Sequence, residues 1–186
     1  MSVKFNHTNK NAFYFVTCTC HDWLPLFEIA KGYELVYRWF HILRDQQIEI
    51  SAFVIMPNHF HIILFLPELE IRLSKVIGNG KRFIAYDLLK RLEILQQYEI
   101  LNKLSDSLTT RDYKKNQRHK VFQESFDAKE IYTERFFYQK LNYIHYNPIR
   151  GCWNLCDDYI QYVHSSASFY EDGTVLLFEP FDFRAL

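Results

Sequence analysis

Two clusters of polar side chains in this chain have the types and spacing to do chemistry. The first is His59-Phe60-His61. On a strand, residues two apart project from the same face, so the two imidazoles stand side by side while Phe60 points away. Paired imidazoles of this kind form a bidentate clamp for a divalent metal ion. The neighbours Met56, Ile62, Ile63, Leu64 and Phe65 describe a central strand, where two unpaired histidines would be costly to bury. The plainer reading is two surface histidines on a polar sheet face.

The second cluster is Tyr143-Ile144-His145-Tyr146-Asn147-Pro148. At about 100° per residue, Phe137, Leu141 and Ile144 form one helical stripe, and Phe136, Lys140, Tyr143 and Asn147 form a second beside it. Tyr143 and Asn147 are thus one turn apart on a face bordering the core. Asn147 offers an amide oxygen as a third ligand for a hard cation. Tyr143 offers a phenol, which a metal and nearby cations could activate while polarising a phosphate. Tyr138 and Asn142 repeat the spacing on the opposite flank of the apolar stripe, and helical geometry alone does not choose between the pairs. Tyr143 also reads as an ordinary amphipathic-helix residue.

The elements that must hold these groups follow from periodicity. Residues 11–20 alternate aromatic and β-branched side chains, as a strand does. Residues 28–46 carry Leu35, Val36, Trp39, Phe40 and Leu43 at helical spacing. Residues 48–56 and 59–66 form two strands joined by Pro57-Asn58, a turn so short that they must be an antiparallel hairpin, closed by Pro67 and Glu68. A helical region, 71–101, follows, with Ile84, Leu88, Leu92 and Leu95 on its buried side and interruptions at Gly78 and Gly80. A fourth strand is expected within 126–131 and a helix over 133–147, ended by Pro148. The order strand, helix, strand, strand, helix, strand predicts an α+β, ferredoxin-like βαββαβ fold with an antiparallel sheet. The tyrosine lies on an extra helix after the last strand.

The chain has 186 residues, 48% of them hydrophobic and 24% charged, the size and composition of one globular domain. We read it as a single domain over 1–186, with a core of 11–170, a polar insertion of 103–120 and a tail of 171–186. Lys plus Arg equals Asp plus Glu at 22 each. That balance argues against a protein that coats nucleic acid non-specifically, but not against a local phosphate site. Arg111, Lys114, Lys115, Arg118 and Lys120 crowd the insertion, either as a solvated loop or as a strip that tracks a phosphate backbone. Lys81 and Arg82 are further candidates for phosphate contact. Charge should then be polarised, with Glu171, Asp172, Glu179 and Asp182 near the C-terminus. An aromatic share of 18% leaves rings on which unpaired bases could stack. No run of 18 apolar residues exists, so no membrane span is expected, and without the apolar stretch of a signal peptide the chain is expected in the cytoplasm. Cys18-x-Cys20 and Cys152-x3-Cys156 are expected to be free thiols, their spacing being irregular for zinc.

Pro57-Asn58-His59-Phe60-His61-Ile62 resembles the histidine–hydrophobic–histidine motif of single-tyrosine HUH transposases. Tyr143-Ile144-His145-Tyr146-Asn147-Pro148-Ile149-Arg150 resembles their tyrosine helix, and most narrowly that of the REP-associated tyrosine transposases. Ser165-Ser166-Ala167 with Phe169-Tyr170 resembles a downstream element of that group. The match spans roughly 11–170. It implies cleavage and transfer of single-stranded DNA that folds into imperfect hairpins, the chemistry of DNA transposition and recombination. Tyr143 would attack the scissile phosphate, form a covalent 5′-phosphotyrosine and leave a free 3′-OH. His59 and His61 would hold Mg2+ or Mn2+. Related enzymes take their third ligand from a glutamine four residues after the tyrosine, where this chain has Asn147, as the REP-associated group does. The resemblance allows a monomer or a homodimer that exchanges tyrosine helices. It also decides for Tyr143 and Asn147 over Tyr138 and Asn142. Two other readings of the same residues are a metal-dependent hydrolase with a water nucleophile and a non-catalytic, domesticated DNA-hairpin binder.

Overall fold

The computed structural model describes residues 11–67, 72–114 and 116–185. In chain order the elements are β1 (Ala12–Thr19), α1 (Leu26–Ile29), α2 (Tyr33–Asp45), β2 (Glu49–Met56), β3 (His59–Leu66), α3 (Leu73–Ile94), α4 (Tyr98–Asp106), α5 (Thr110–Lys114), β4 (Asp127–Ile131), α6 (Glu134–His145) and α7 (Ala167–Asp172). The sheet order is β2-β3-β1-β4, and every neighbouring pair is antiparallel. This is the ferredoxin-like α+β arrangement expected from the element order.

Strand alternation divides the apolar side chains between two faces. Tyr14, Val16 and Cys18 of β1, Phe53 and Ile55 of β2, and Phe60, Ile62 and Leu64 of β3 pack under α2 and α3. Phe15, Ala52, Val54, Met56 and Ile63 receive α6 through Phe137, Leu141 and Ile144. Burying one such side chain contributes roughly 1.5–3 kcal/mol, so α6 is held on the sheet by its apolar stripe. Thr133 caps the helix, its side chain accepting from the Phe136 N–H at 3.2 Å, which satisfies one otherwise orphaned donor.

The outer edge of β2 is covered by the chain after α6. Ile55 N–H donates to His164 O at 2.8 Å, Ser166 N–H to Phe53 O at 3.0 Å and Phe181 N–H to Ile50 O at 2.8 Å. This covering satisfies an edge that would otherwise be open to strand addition. The cysteines are free. Burial pushes the Cys18 thiol up to about 12. Among the described residues, no helix is long and apolar enough to cross a membrane.

Three local expectations change. The helix expected over 28–46 is two helices, broken where Lys31 adopts φ 49° before Gly32. Gly78 and Gly80 do not interrupt α3, which runs through both. A Cβ on Gly80 would lie 2.4 Å from the Trp39 ring, so this glycine lets α3 approach α2 closely. The break comes instead after Ile94, where Gln96 has φ 54°. The insertion is more ordered than a solvated loop: α4 extends into it and α5 follows. Buried Asp112 accepts there from the Thr109 N–H at 2.9 Å and hydroxyl at 2.7 Å. Glu68, Ile71 and residues 1–10 lie outside the described residues.

Candidate metal centre and tyrosine site

His59 and His61 project from β3 towards α6 with ring centroids 4.7 Å apart, and each is 4% exposed. The Asn58 amide nitrogen donates to Trp23 O at 3.1 Å. Its oxygen is therefore left to accept from His59 Nδ1–H at 2.6 Å. That orients the ring and puts the lone pair of His59 on Nε2. His61 pairs with Thr17 across the sheet, and its Nδ1 lies 2.8 Å from the Thr17 hydroxyl. Its Nε2 is buried and has no hydrogen-bond partner among the described residues, and with Nδ1–H donating to Thr17 that nitrogen would carry the lone pair a metal ion takes. Burial lowers the His59 pKa to about 4, the nearby Asn147 amide acting in the opposite sense. Burial, then the charges of His59 and Lys140, hold His61 well below the usual imidazole range. Both rings are therefore neutral near pH 7, the form that binds metal ions.

α6 brings Tyr143 to this pair. Its ring centroid is 5.1 Å from that of His61 and 5.9 Å from that of Phe15, which in turn stacks on His61 at 5.4 Å. Tyr143 is 40% exposed, and among the described residues its hydroxyl has no hydrogen-bond partner. One turn on, Asn147 opens a short 3-10 turn with Pro148. It lies beside His59, and its Oδ1 is buried and unpartnered among the described residues. Two buried polar atoms, His61 Nε2 and Asn147 Oδ1, thus lack a partner among the described residues, a costly arrangement unless a cation or proton meets them. Among the described residues no three His, Cys, Asp or Glu side chains cluster. The donor set is two imidazoles and one amide oxygen, which fits a divalent ion with positions left open.

The other tyrosines near α6 go elsewhere. Tyr138 packs on Phe183 at 5.5 Å and Phe137 at 6.4 Å, so the histidines face Tyr143. Tyr146 is half-buried against Tyr159 at 4.2 Å, under the Arg150 guanidinium. Exposed Tyr132 donates to Glu130.

Lys140 is a site residue whose role the sequence reading passed over. Its ammonium sits 4.6 Å above the Phe15 ring and 5.5 Å from the Tyr143 ring. The available signal was its place in the Tyr143 stripe, three residues before the tyrosine. Asn58 and Thr17 were also missed. Asn58 was legible only as a turn residue, and Thr17 only once the β1–β3 register was known.

His145 has no place at the tyrosine site itself. It is buried, with Nε2 2.9 Å from Ser166 Oγ, and that hydroxyl accepts from the Phe53 N–H at 3.0 Å. The Tyr-Ile-His and Ser-Ser-Ala segments therefore meet in the core and fasten the end of α6 to β2. Burial lowers the His145 pKa to about 3. His59, His61 and His145 are neutral in the folded chain well below the ordinary value of 6.5. The unfolded chain takes up protons first as pH falls, so stability is full above about pH 6.5 and declines below it. Each histidine contributes up to about 1.4 kcal/mol per pH unit over its window. Urea midpoints are expected to fall steadily from pH 7 to pH 4. A flat profile would contradict the burial of neutral rings.

The basic residues are not gathered at Tyr143. Lys81 turns inward and donates to Gln123 O at 2.6 Å. Arg82 is exposed on α3, on the sheet face opposite α6. In the insertion, Arg111 is exposed and pairs with Glu124 at 3.7 Å. Lys114 and Arg118 are exposed and Lys120 is half-buried. Lys115 lies outside the described residues. The chain leaving this strip returns to the end of β1, where Gln123 N–H donates to Thr19 O at 2.9 Å. Thr19 is the cross-strand partner of His59, so the strip is tethered at the histidine end of the sheet.

No protein-family model matches the chain, and no curated protein does. Among solved structures, that of a REP-associated tyrosine transposase bound to a REP hairpin aligns with a TM-score of 0.62 and 17% identity. The alignment covers 98% of this chain and 93% of that one. A transposase candidate from Deinococcus radiodurans R1 aligns over 77% of this chain and 95% of its own, at 16% identity and a TM-score of 0.46, too loosely to carry an argument. The fold that carries the two histidines and Tyr143 is thus that of the hairpin-bound REP-associated tyrosine transposase, the group whose motifs the sequence resembles.

Proposed function

We propose that this chain cleaves and rejoins single-stranded DNA that folds into hairpins, with Tyr143 as the nucleophile. One observation carries the reading: a solvent-accessible phenol, without a hydrogen-bond partner among the described residues, stands against two buried, neutral histidines, where His61 Nε2 and the neighbouring Asn147 Oδ1 are buried without partners. Tyr143 Oη attacks the scissile phosphorus. The P–Oη bond forms and the P–O3′ bond breaks. The phenolic proton passes to solvent, and the 3′ oxygen leaves as a 3′-OH. The 5′ phosphate stays on the tyrosine until a 3′-OH attacks it, re-forming P–O3′ and returning the phenol. Because the strand is held covalently, rejoining needs no external energy source. Mg2+ or Mn2+, held by His59, His61 and Asn147, would supply Lewis-acid polarisation of the phosphate. Asn58 and Thr17 orient the rings, and the Lys140 ammonium offsets charge developing beside Tyr143. The hairpin-bound state of the structural relative supports the choice of substrate.

Incubating the chain with end-labelled hairpin DNA and Mn2+ tests the reading on a denaturing gel. A slowly migrating protein–DNA adduct is expected. Cleavage without an adduct would indicate a hydrolase, and binding with neither product would indicate a hairpin-binding protein.

Affinity should rest on other residues. Neutralising Arg111, Lys114, Lys115, Arg118 and Lys120 is expected to flatten the salt dependence of DNA binding. The log–log slope should fall by about 0.7–0.9 for each phosphate that no longer meets a cation. Cleavage at saturating DNA should change little. An unchanged slope would show that the strip only solvates the insertion.

A further inference from the structure

Trp23 is conspicuous for where it stands and how it is held. Its indole is 58% exposed, although burying so large a ring is normally favourable. It meets His59 edge-on with centroids 5.8 Å apart. A second indole, half-buried Trp153, approaches the same imidazole at 6.3 Å. Asp22 and Trp23 have φ of 54° and 55°, a left-handed conformation disfavoured at two successive residues that are not glycine. The surroundings hold it in place. Trp23 N–H donates to Cys20 O at 3.2 Å, and Trp23 O accepts from Asn58 at 3.1 Å. Lys103 pairs with Asp22 at 2.9 Å. Lys120 stands close enough to oppose a charge on the adjacent His21. The result is a fixed aromatic surface beside the histidine pair, bordered by the Asp22–Lys103 ion pair and by Lys120. Nothing in the proposed phosphoryl transfer uses it.

We propose that Trp23, with Trp153 as a second wall, forms a stacking site for the unpaired nucleobase adjoining the phosphodiester held at Tyr143. The proposal rests on the single-stranded DNA reading and deepens it. A planar indole accepts any base through its π face, so the site positions a nucleotide rather than reading its identity. Lys120, beside His21, suits a phosphate of the same strand. The strained turn keeps the indole outward, so little ordering is left to be done on binding.

The test uses the full chain in EDTA, so that binding is measured without cleavage. The probe is a DNA hairpin with single-stranded dA arms, together with a series in which one arm nucleotide at a time is abasic. Trp23→Ala is expected to weaken binding about tenfold and Trp23→Phe far less. The alanine penalty should vanish at one abasic position and persist at the others. The native chain should itself lose about tenfold at that position, which keeps the test valid should the alanine variant fail to fold. Three results would overturn the platform: native affinity in Trp23→Ala, an equal penalty at every arm position, or a phenylalanine variant as weak as alanine. If the native chain forms the covalent adduct while any of these holds, only the platform falls. A native chain that binds no hairpin DNA removes both readings.

Discussion

A Tyr143→Phe variant is expected to fold as the native chain does, to bind hairpin DNA with affinity within about twofold, and to form no covalent adduct. The substitution removes one oxygen and keeps the ring against His61 and Phe15. Tyr143 is 40% exposed and its hydroxyl has no hydrogen-bond partner among the described residues. Stability should therefore change by no more than about 0.5 kcal/mol. Loss of a nucleophile typically costs several orders of magnitude, so adduct formation should drop at least about ten-thousandfold, to background. Melting temperature, gel-shift affinity and a denaturing gel measure the three quantities separately. A variant that has lost folding as well as adduct would assign Tyr143 to packing instead.

The second large effect concerns the histidines. Replacing both His59 and His61 by alanine should abolish cleavage at every Mn2+ concentration and weaken Mn2+ binding, measured calorimetrically, by at least about a hundredfold. The rings are buried, so their removal leaves space. It also removes the orphaned Nε2 of His61, which offsets part of the loss. The fold is expected to persist, as a near-native circular dichroism spectrum would show. Asn147→Ala should raise the Mn2+ concentration needed without erasing activity, because both imidazoles remain. Undiminished cleavage by the double variant would remove the metal from the account.

What could be read from the sequence was set by short-range geometry. The i, i+2 spacing of His59 and His61 places both on one strand face whatever the rest of the fold does. The stripe of Phe137, Leu141 and Ile144 names the buried side of α6 in the same way. Long-range packing was less legible. Periodicity could not separate Tyr143 from Tyr138, because that choice depends on how α6 lies across the sheet and on Phe183 from the tail packing beside Tyr138. Gly80 read as a helix breaker because Trp39, which fills the space above it, is far away in sequence. The pairing of His145 with Ser166 likewise spans a segment without regular periodicity. Lys140 was visible on the correct stripe, but its position over Phe15 became meaningful only when β1 was laid beneath α6.

The central claim is tested most directly by mass spectrometry on the isolated protein–DNA adduct after nuclease and protease digestion. The account predicts a single modified peptide, with a nucleotide linked through its 5′ phosphate to Tyr143. A modification on Tyr138, Tyr146 or any other tyrosine, or an adduct linked through a 3′ phosphate, would contradict it.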